Sequence, residues 1–375
     1  DKLVEFYIDY EDEDKRDLWF LLQELQIGGK HVVNHVREQL PQLSEVKNFR
    51  VEPLLKYKIS VEKVRLLEAC LNDAFVSKRY ELYHKHKIRI VVLSDSQYPQ
   101  QLQQIPDPPC ALYVKGDAKL LHHPSIAVVG ARRATMYGIR ATRHLTAQIC
   151  AYGFGIVSGM ARGIDTEAHL TSLQCGAPSI AVLGTGFDII YPRENKRLIE
   201  RMVDEGVVVT EMPYGAEVKK WSFAKRNRII SGLSLGTLVT EADENSGALQ
   251  TAKSANEQDR EVFMVPGSIF SPQSRGTIKW MKEGATPVTS GKDVAEQFEN
   301  RFLFFDHTYK KENIPSDLTE DERQVMQHLT REGMTIDELL AKTKFPFGHL
   351  HTVLLSLEIK KKILKYSGSI YSKIH

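Results

Sequence analysis

The stretch IAVVGARRATMYG (residues 126–138) decides the fold. Four apolar residues end in a glycine and two arginines. An amphipathic segment follows in which Ile139, Thr142, Leu145 and Ile149 step by three or four, and Gly153 closes it. The next apolar run, GIVSG (residues 155–159), completes a strand–helix–strand unit. The pattern continues through SIAVLG (179–184), VVVTE (207–211), TLVTEA (237–242) and EVFMVPG (261–267). Continuous apolar runs of this kind suit strands buried on both faces, so the expected core is an α/β, Rossmann-like, doubly wound and mostly parallel sheet. In such sheets ligands bind outside the carboxyl ends of the strands.

Upstream, Leu18, Phe20, Leu21, Leu22 and Leu25, then Val61, Val64, Leu67 and Leu71, recur at helical spacing between Gly28-Gly29, Pro41 and Pro53. A small all-α domain is expected there. It ends in the connector YPQQLQQIPDPPCALYVKGD (Tyr98 to Asp117), whose four prolines forbid continued helix. Downstream of the sheet, the polar segment HTYKKENIPSD leads to two capping-box spacings, Thr319 with Glu322 and Thr335 with Glu338. A third helix is expected from Pro346 to Leu357, followed by a hairpin around Ser367-Gly368. Three helices and a hairpin read as a winged helix. The expected domains are residues 1–105, helical; 106–305, the sheet domain; and 317–375, the winged helix.

The 375 residues carry 50 Lys and Arg against 48 Asp and Glu, a net charge of +2. That excludes a globally basic nucleic-acid binder and leaves local patches open. Cys70, Cys110, Cys150 and Cys175 have no C-x-x-C spacing, so neither a zinc site nor a disulfide framework is expected, and a reducing cytoplasm is the expected compartment. No apolar run is long enough to span a bilayer, and no membrane association is expected. The start, DKLVEFYIDYEDED, is acidic where a secretory signal is basic. The chain begins at Asp1, so a few preceding native residues are expected.

The strand-end loops hold the chemistry. Gly130-Ala131-Arg132-Arg133 stands at a strand-to-helix turn, where backbone N–H groups, a helix N-terminus and guanidinium donors suit a phosphate. A dinucleotide cofactor is not expected, because the spacing G-x-G-x-x-G and an acidic residue about 20 positions on are both missing. Ser158-Gly159 with Arg162 and Arg193 with Asn195 add cations and polar groups. Phe223, Lys225, Arg226, Asn227 and Arg228 open a further helix, and Ser246-Gly247 offers backbone amides. Asp165 reads as a helix cap. Phe223 is the favoured base-stacking aromatic among Tyr137, Phe187, Tyr191, Tyr214, Trp221 and itself. The histidine pairs, such as His31/His35, join no second cluster, so no metal site is expected. No P-loop, nucleophile elbow or H-E-x-x-H string occurs, and no catalytic residue is assigned.

The strings VGARRATMYG, SGMARGIDTEAH, AVLGTGFDIIYPREN, EMPYG, FAKRNRIISGLS, VTEADENSGALQTA and REVFMVPG run in the order of the DNA processing protein A family (DprA, also called Smf). The chain resembles that family continuously from Tyr98 to about Val288. The resemblance implies an extended Rossmann domain that binds single-stranded DNA without acting on it, protects incoming DNA and loads the RecA recombinase during natural transformation, as a homodimer without a cofactor. It also implies that Gly130, Arg132, Ser158, Gly159 and Arg162 hold phosphates, and that Arg193, Asn195, Phe223, Lys225, Arg226, Asn227 and Arg228 complete the pocket. The N-terminal domain resembles a sterile-alpha-motif-like (SAM-like) or helix-hairpin-helix element. Ala131 stands where the family commonly has Ser, Ala224 replaces a common Pro, and Gln250 replaces an aliphatic residue.

Two segments also fit other functions. GTLVTEA (Gly236 to Ala242) is similar to part of the phosphoribohydrolase signature, which makes a nucleotide or nucleoside-phosphate hydrolase using Glu241 the alternative. Lys342 to His375 hold seven Lys against one Glu, which favours an anionic partner, either duplex DNA or a docking protein.

Overall fold

The computed structural model describes residues 13–43, 45–71, 73–301, 319–330, 333–360, 362–366 and 370–373. The chain divides into two compact units, Asp1–Phe305 and Asp306–His375.

The first unit opens with α1 (Glu13–Glu24), α2 (Lys30–Gln39), α3 (Val61–Cys70) and α4 (Asp73–Lys85). α3 starts where Ser60 Oγ accepts the Lys63 amide. Then come β1 (Arg89–Val92), α5 (Gln100–Gln103) and β2 (Ala111–Gly116). β1 and β2 correct the sequence reading, which put residues 1–105 in an all-α domain and 98–117 in a connector. β1 is too short to display a period of two, and the prolines just ahead of β2 hide the apolar run that they precede. The sheet therefore begins inside the segment expected to be helical.

The remaining elements are β3 (Ser125–Val129), α6 (Met136–Ala151), β4 (Gly155–Ser158), α7 (Ile164–Gln174), β5 (Ser179–Leu183), α8 (Lys196–Glu205) and β6 (Val207–Thr210). They continue with α9 (Lys220–Gly232), β7 (Gly236–Val239), α10 (Gly247–Glu257), β8 (Glu261–Met264), α11 (Arg275–Lys282), β9 (Thr286–Pro287) and α12 (Gly291–Ala295). The nine strands lie in the order β1-β2-β6-β5-β4-β3-β7-β8-β9. β1 and β2 pair antiparallel, as do β2 and β6, and every other pair is parallel. The expected α/β, doubly wound, mostly parallel sheet is present. From β3 the chain winds outward through β4 and β5 to β6, and then returns to place β7 on the other side of β3. The reversal creates a crevice at the carboxyl ends of β3 and β7.

The sheet is buried on both faces. Ile126, Val128 and Ile156 pack with Leu145, Ile149, Ile164 and Ala168 of α6 and α7. Their neighbours Ala127, Val129 and Val157 face a second layer with Ile229, Ile230 and Ala252 of α9 and α10, whose cluster continues into Leu18, Phe20 and Leu22 of α1. Polar contacts reinforce that shared core. Gln23 donates to the Glu211 carbonyl at 2.7 Å and accepts the Ala111 amide at 3.2 Å, while Glu24 accepts from Arg79, Tyr83 and Tyr113.

The second unit contains α13 (Glu320–His328), β10 (Met334–Thr335), α14 (Ile336–Thr343), α15 (Phe347–Ile359), β11 (Ile363–Tyr366) and β12 (Ile370–Lys373). The strands form an antiparallel sheet in the order β10-β12-β11. Both expected capping boxes are formed, Thr319 with Glu322 and Thr335 with Glu338. Val325, Leu339, Leu350, Leu354, Leu357 and Tyr371 fill the core of a winged helix. The polar segment HTYKKENIPSD and the Ser367-Gly368 turn lie outside the described residues.

Candidate functional site

The loop after β3 is held by the strand end beside it. Ala131 N–H donates to the Glu241 carbonyl at 2.8 Å, and Thr135 N–H donates to the Glu241 carboxylate at 2.9 Å. Thr135 Oγ1 also donates to that carboxylate and accepts the Gly138 amide as N-cap of α6. Glu241 is 1% exposed, and a Cβ on Gly138 would stand 2.2 Å from its Oε2. The N-terminus of α6, which the sequence offers to a phosphate beside Gly130, thus already holds a protein carboxylate. Gly163 closes the next loop against this one: at φ 74° it has no Cβ to strike the Ala131 carbonyl, 2.4 Å from where that atom would lie.

Above these loops opens a cleft of about 490 Å³. Gly130, Arg132 and Arg133 line one wall, Phe223, Arg226 and Asn227 another, and Ser246 and Gly247 a third. Arg132 and Arg133 are exposed. Phe223 is half-buried, with its ring 5.0 Å from that of Tyr191. Ser246 Oγ accepts the Ala248 amide and starts α10, so the N-terminus of that helix faces the cleft. Lys220, Asn245 and Gln273 also line it, as do the acidic Asp165 and Asp243. The sequence reading missed Lys220. It precedes Phe223 by three positions, and a helical phase drawn over residues 220–230 would have found it.

That phase separates the cations of α9. Lys220, Phe223, Arg226, Asn227 and Ile230 line the cleft, at the i, i+3, i+4 spacing of one helix face. Lys225 and Arg228 project elsewhere. Arg228 pairs with Glu211 through Nη1 and Nη2 at 2.8 and 2.9 Å and with Asp107 at 3.1 Å. Lys225 reaches Glu211 at 3.4 Å. Burial raises the Glu211 carboxyl, but Arg228 and Lys225 outweigh it and hold the group below its ordinary range. Arg228 and Lys225 therefore fasten α9 to the chain around β2 and β6, and neither of these two expected ligands lines the cleft.

Three further expected ligands are engaged within the protein. Ser158 is fully buried and donates to the Val128 carbonyl at 2.6 Å. Asn195 donates to the Met160 carbonyl and to Thr166 Oγ1, both at 2.9 Å. Gly159 gives Arg226 room: the guanidinium, on a residue 5% exposed, donates to the Gly159 and Val182 carbonyls. Arg162 and Arg193 are exposed, and Arg162 pairs with Glu194. Neither lines the cleft.

Burial lowers Arg226 to about 10, opposed by nearby Asp165, so the guanidinium keeps its charge at neutral pH. Burial likewise raises Asp165, against the pull of Arg226 and of two amides, Gly159 N at 3.1 Å and Ala161 N at 3.3 Å. Asp165 therefore stabilises the loop that precedes its helix. The N-cap is Gly163, which corrects the capping role expected of Asp165. Among the described residues no group of three or more His, Cys, Asp or Glu could hold a metal. Nor is any described helix long and apolar enough to cross a membrane.

A cleft at the switch point of a doubly wound sheet, with exposed guanidinium and ammonium groups and a helix N-terminus around it, defines a Rossmann-like protein with an anion-receptive site. The chain belongs to the DNA recombination-mediator protein A family, whose model matches residues 89–299; the DprA winged helix domain matches residues 310–369. DNA processing protein DprA of Bacillus subtilis is 44% identical over 220 residues, covering 58% of this chain and 74% of that protein. The X-ray structure of DNA processing protein A from Streptococcus pneumoniae superposes with a TM-score of 0.65 at 33% identity, over 76% of this chain and 96% of that one. DNA processing protein A from Helicobacter pylori, described in terms of its single-stranded DNA binding mode, matches with a TM-score of 0.51 at 28% identity, over 57% of this chain and 97% of that one.

Proposed function

We propose that this protein binds single-stranded DNA in the cleft at the β3–β7 switch point and acts as a recombination mediator. It protects incoming DNA and passes it to a RecA recombinase during natural transformation, working as a homodimer in the cytoplasm and without a catalytic step. The observation that carries this reading is the grouping of exposed Arg132, Arg133 and Lys220 with half-buried Phe223 around one open cleft. Cations there neutralise backbone phosphates, and the ring accepts a base face. The Helicobacter pylori relative's single-stranded DNA binding supports the same reading.

The ligand set is narrower than the motifs imply. Gly130, Arg132, Arg133, Lys220, Phe223, Ser246 and Gly247 touch DNA, Arg226 and Asn227 shape the wall, and Arg162 and Arg193 supply outlying charge. With three to five phosphates neutralised, the log–log salt dependence of affinity has a slope of about −2 to −3.5. Fluorescence anisotropy with oligothymidylate tests this. Arg132→Ala with Arg133→Ala should reduce the slope by about 1.4 and weaken binding of every oligonucleotide; a flat salt response in the parent protein would overturn the reading. RecA filament nucleation on coated DNA, with and without this protein, tests the mediator role. Duplex affinity of the chain lacking residues after Pro315 tests whether the winged helix contacts DNA or a protein.

A further inference from the structure

The loops after β3 and β8 carry apolar side chains at the rim of the cleft that fold stability does not account for. Ile269 and Phe270, on the loop after β8, are 75% and 88% exposed, and Met136 at the start of α6 is 71% exposed. The loops are joined: Tyr137 Oη donates to the Pro266 carbonyl. A turn fixes the outward pose of the β8 loop, with Ser268 accepting the Phe270 amide on Oγ at 3.2 Å and the Ser271 amide on its carbonyl at 3.0 Å. Four residues on from Ile269, Gln273 lines the cleft, and its carbonyl accepts the Ala242 amide at 2.7 Å. The apolar group is thus built onto the rim of the cleft at its β8 end.

We infer that Phe270, Ile269, Met136 and Tyr137 form a second base-stacking subsite, which receives the bases of a single strand leaving the cleft toward β8. This rests on the reading of the cleft as a single-stranded DNA site. The surrounding charge selects that occupant. Arg132, Arg133, Arg140 and Arg275 are exposed on the same two loops and the helices they start, so the surface combines planar apolar faces with cations. A polyanion bearing unstacked bases has the complementary pattern. A second copy of the same patch would set arginines against arginines. β8 lies two strands from β3, about 10 Å at the usual inter-strand spacing. A base on Phe223 beside Arg132 therefore occupies the cleft alone, and the following nucleotides of a longer strand run on to Phe270.

Length dependence tests the subsite. Ile269→Ser with Phe270→Ser should bind a two-nucleotide oligothymidylate as the parent protein does, and a twelve-nucleotide one about tenfold more weakly, with an unchanged salt slope. Phe270→Trp should retain tight binding, and its indole fluorescence should be quenched by the longer oligonucleotide only. Equal affinity of the double variant at both lengths overturns the subsite while leaving the cleft intact, provided that Arg132→Ala with Arg133→Ala weakens both. An equal loss at both lengths also overturns it, as does a changed oligomeric mass by light scattering with unchanged DNA affinity, which assigns the patch to a protein contact. Failure of the parent protein to bind either length overturns the cleft reading, and the subsite with it.

Discussion

The guanidinium of Arg226 lies against the backbone of Gly159: Nη1 donates to the Gly159 carbonyl, and a Cβ on that glycine would stand 2.5 Å from Nη1. The pair joins α9 to the loop after β4 beneath the cleft. A basic residue on the cleft wall is therefore one of the elements that build it.

Removing that arginine should damage the fold before it damages binding. Arg226→Ala leaves the Gly159 and Val182 carbonyls and the Asp165 carboxylate without their cation, at a cost of about 3–5 kcal/mol. Gly159→Ala should cost about 1–3 kcal/mol by displacing the same group. Arg132→Ala, at an exposed site, should stay within about 0.5 kcal/mol. Thermal unfolding of the three variants checks this order, and a stable Arg226→Ala would refute it.

Glu241 should behave as a structural carboxylate. Replacing it with Ala leaves the half-buried Thr135 amide and hydroxyl proton without their acceptor and should destabilise the protein by about 1–3 kcal/mol. Neither the parent protein nor Glu241→Ala should release free base from nucleoside monophosphates. Release that is lost on the substitution would instead establish the hydrolase reading.

Arg228→Ala leaves buried Glu211 with Lys225 alone and Asp107 without its Arg228 partner, and should cost about 3 kcal/mol, while the folded fraction keeps its DNA affinity and salt slope. Glu211 also sets an acid limit. Its folded carboxyl lies below the ordinary 4.5, so its stabilisation is complete above that pH and is lost as the pH falls through the lower folded value. Denaturant titrations from pH 6 downward measure this, and a profile unchanged by Glu211→Gln would contradict it.

His169 is fully buried, with Nδ1 3.0 Å from Ser179 Oγ, and burial brings its pKa from 6.5 to about 3. Above pH 6.5 it is neutral whether folded or unfolded. Between 6.5 and 3 only the unfolded chain takes up the proton, so stability falls with decreasing pH by at most about 1.4 kcal/mol per unit. His169→Gln should flatten the profile in that window, as read from the pH dependence of chemical denaturation.

Much of this was legible because it is local. Buried parallel strands print as apolar runs, and the spacings Thr319–Glu322 and Thr335–Glu338 specify caps that both form. β1 and β2 escaped because short strands beside lysines and prolines carry little periodic signal. The loops around the cleft were readable for the same reason: a glycine and an arginine at a strand end mark a turn with a cation in it.

What each cation does was settled by distant partners. The sequence by itself determined the doubly wound sheet, the winged helix and the concentration of arginines at strand ends, because periodicity and turn chemistry act over a few residues. Only the tertiary structure decided that Arg132, Arg133 and Lys220 face solvent around the cleft, while Arg226 bonds carbonyls beneath it and Arg228 meets Glu211 and Asp107. Arg226 and Arg228 stand two positions apart on one helix, about 200° around its axis. Their fates diverge because burial and the nearest carboxylate are properties of what packs against each face.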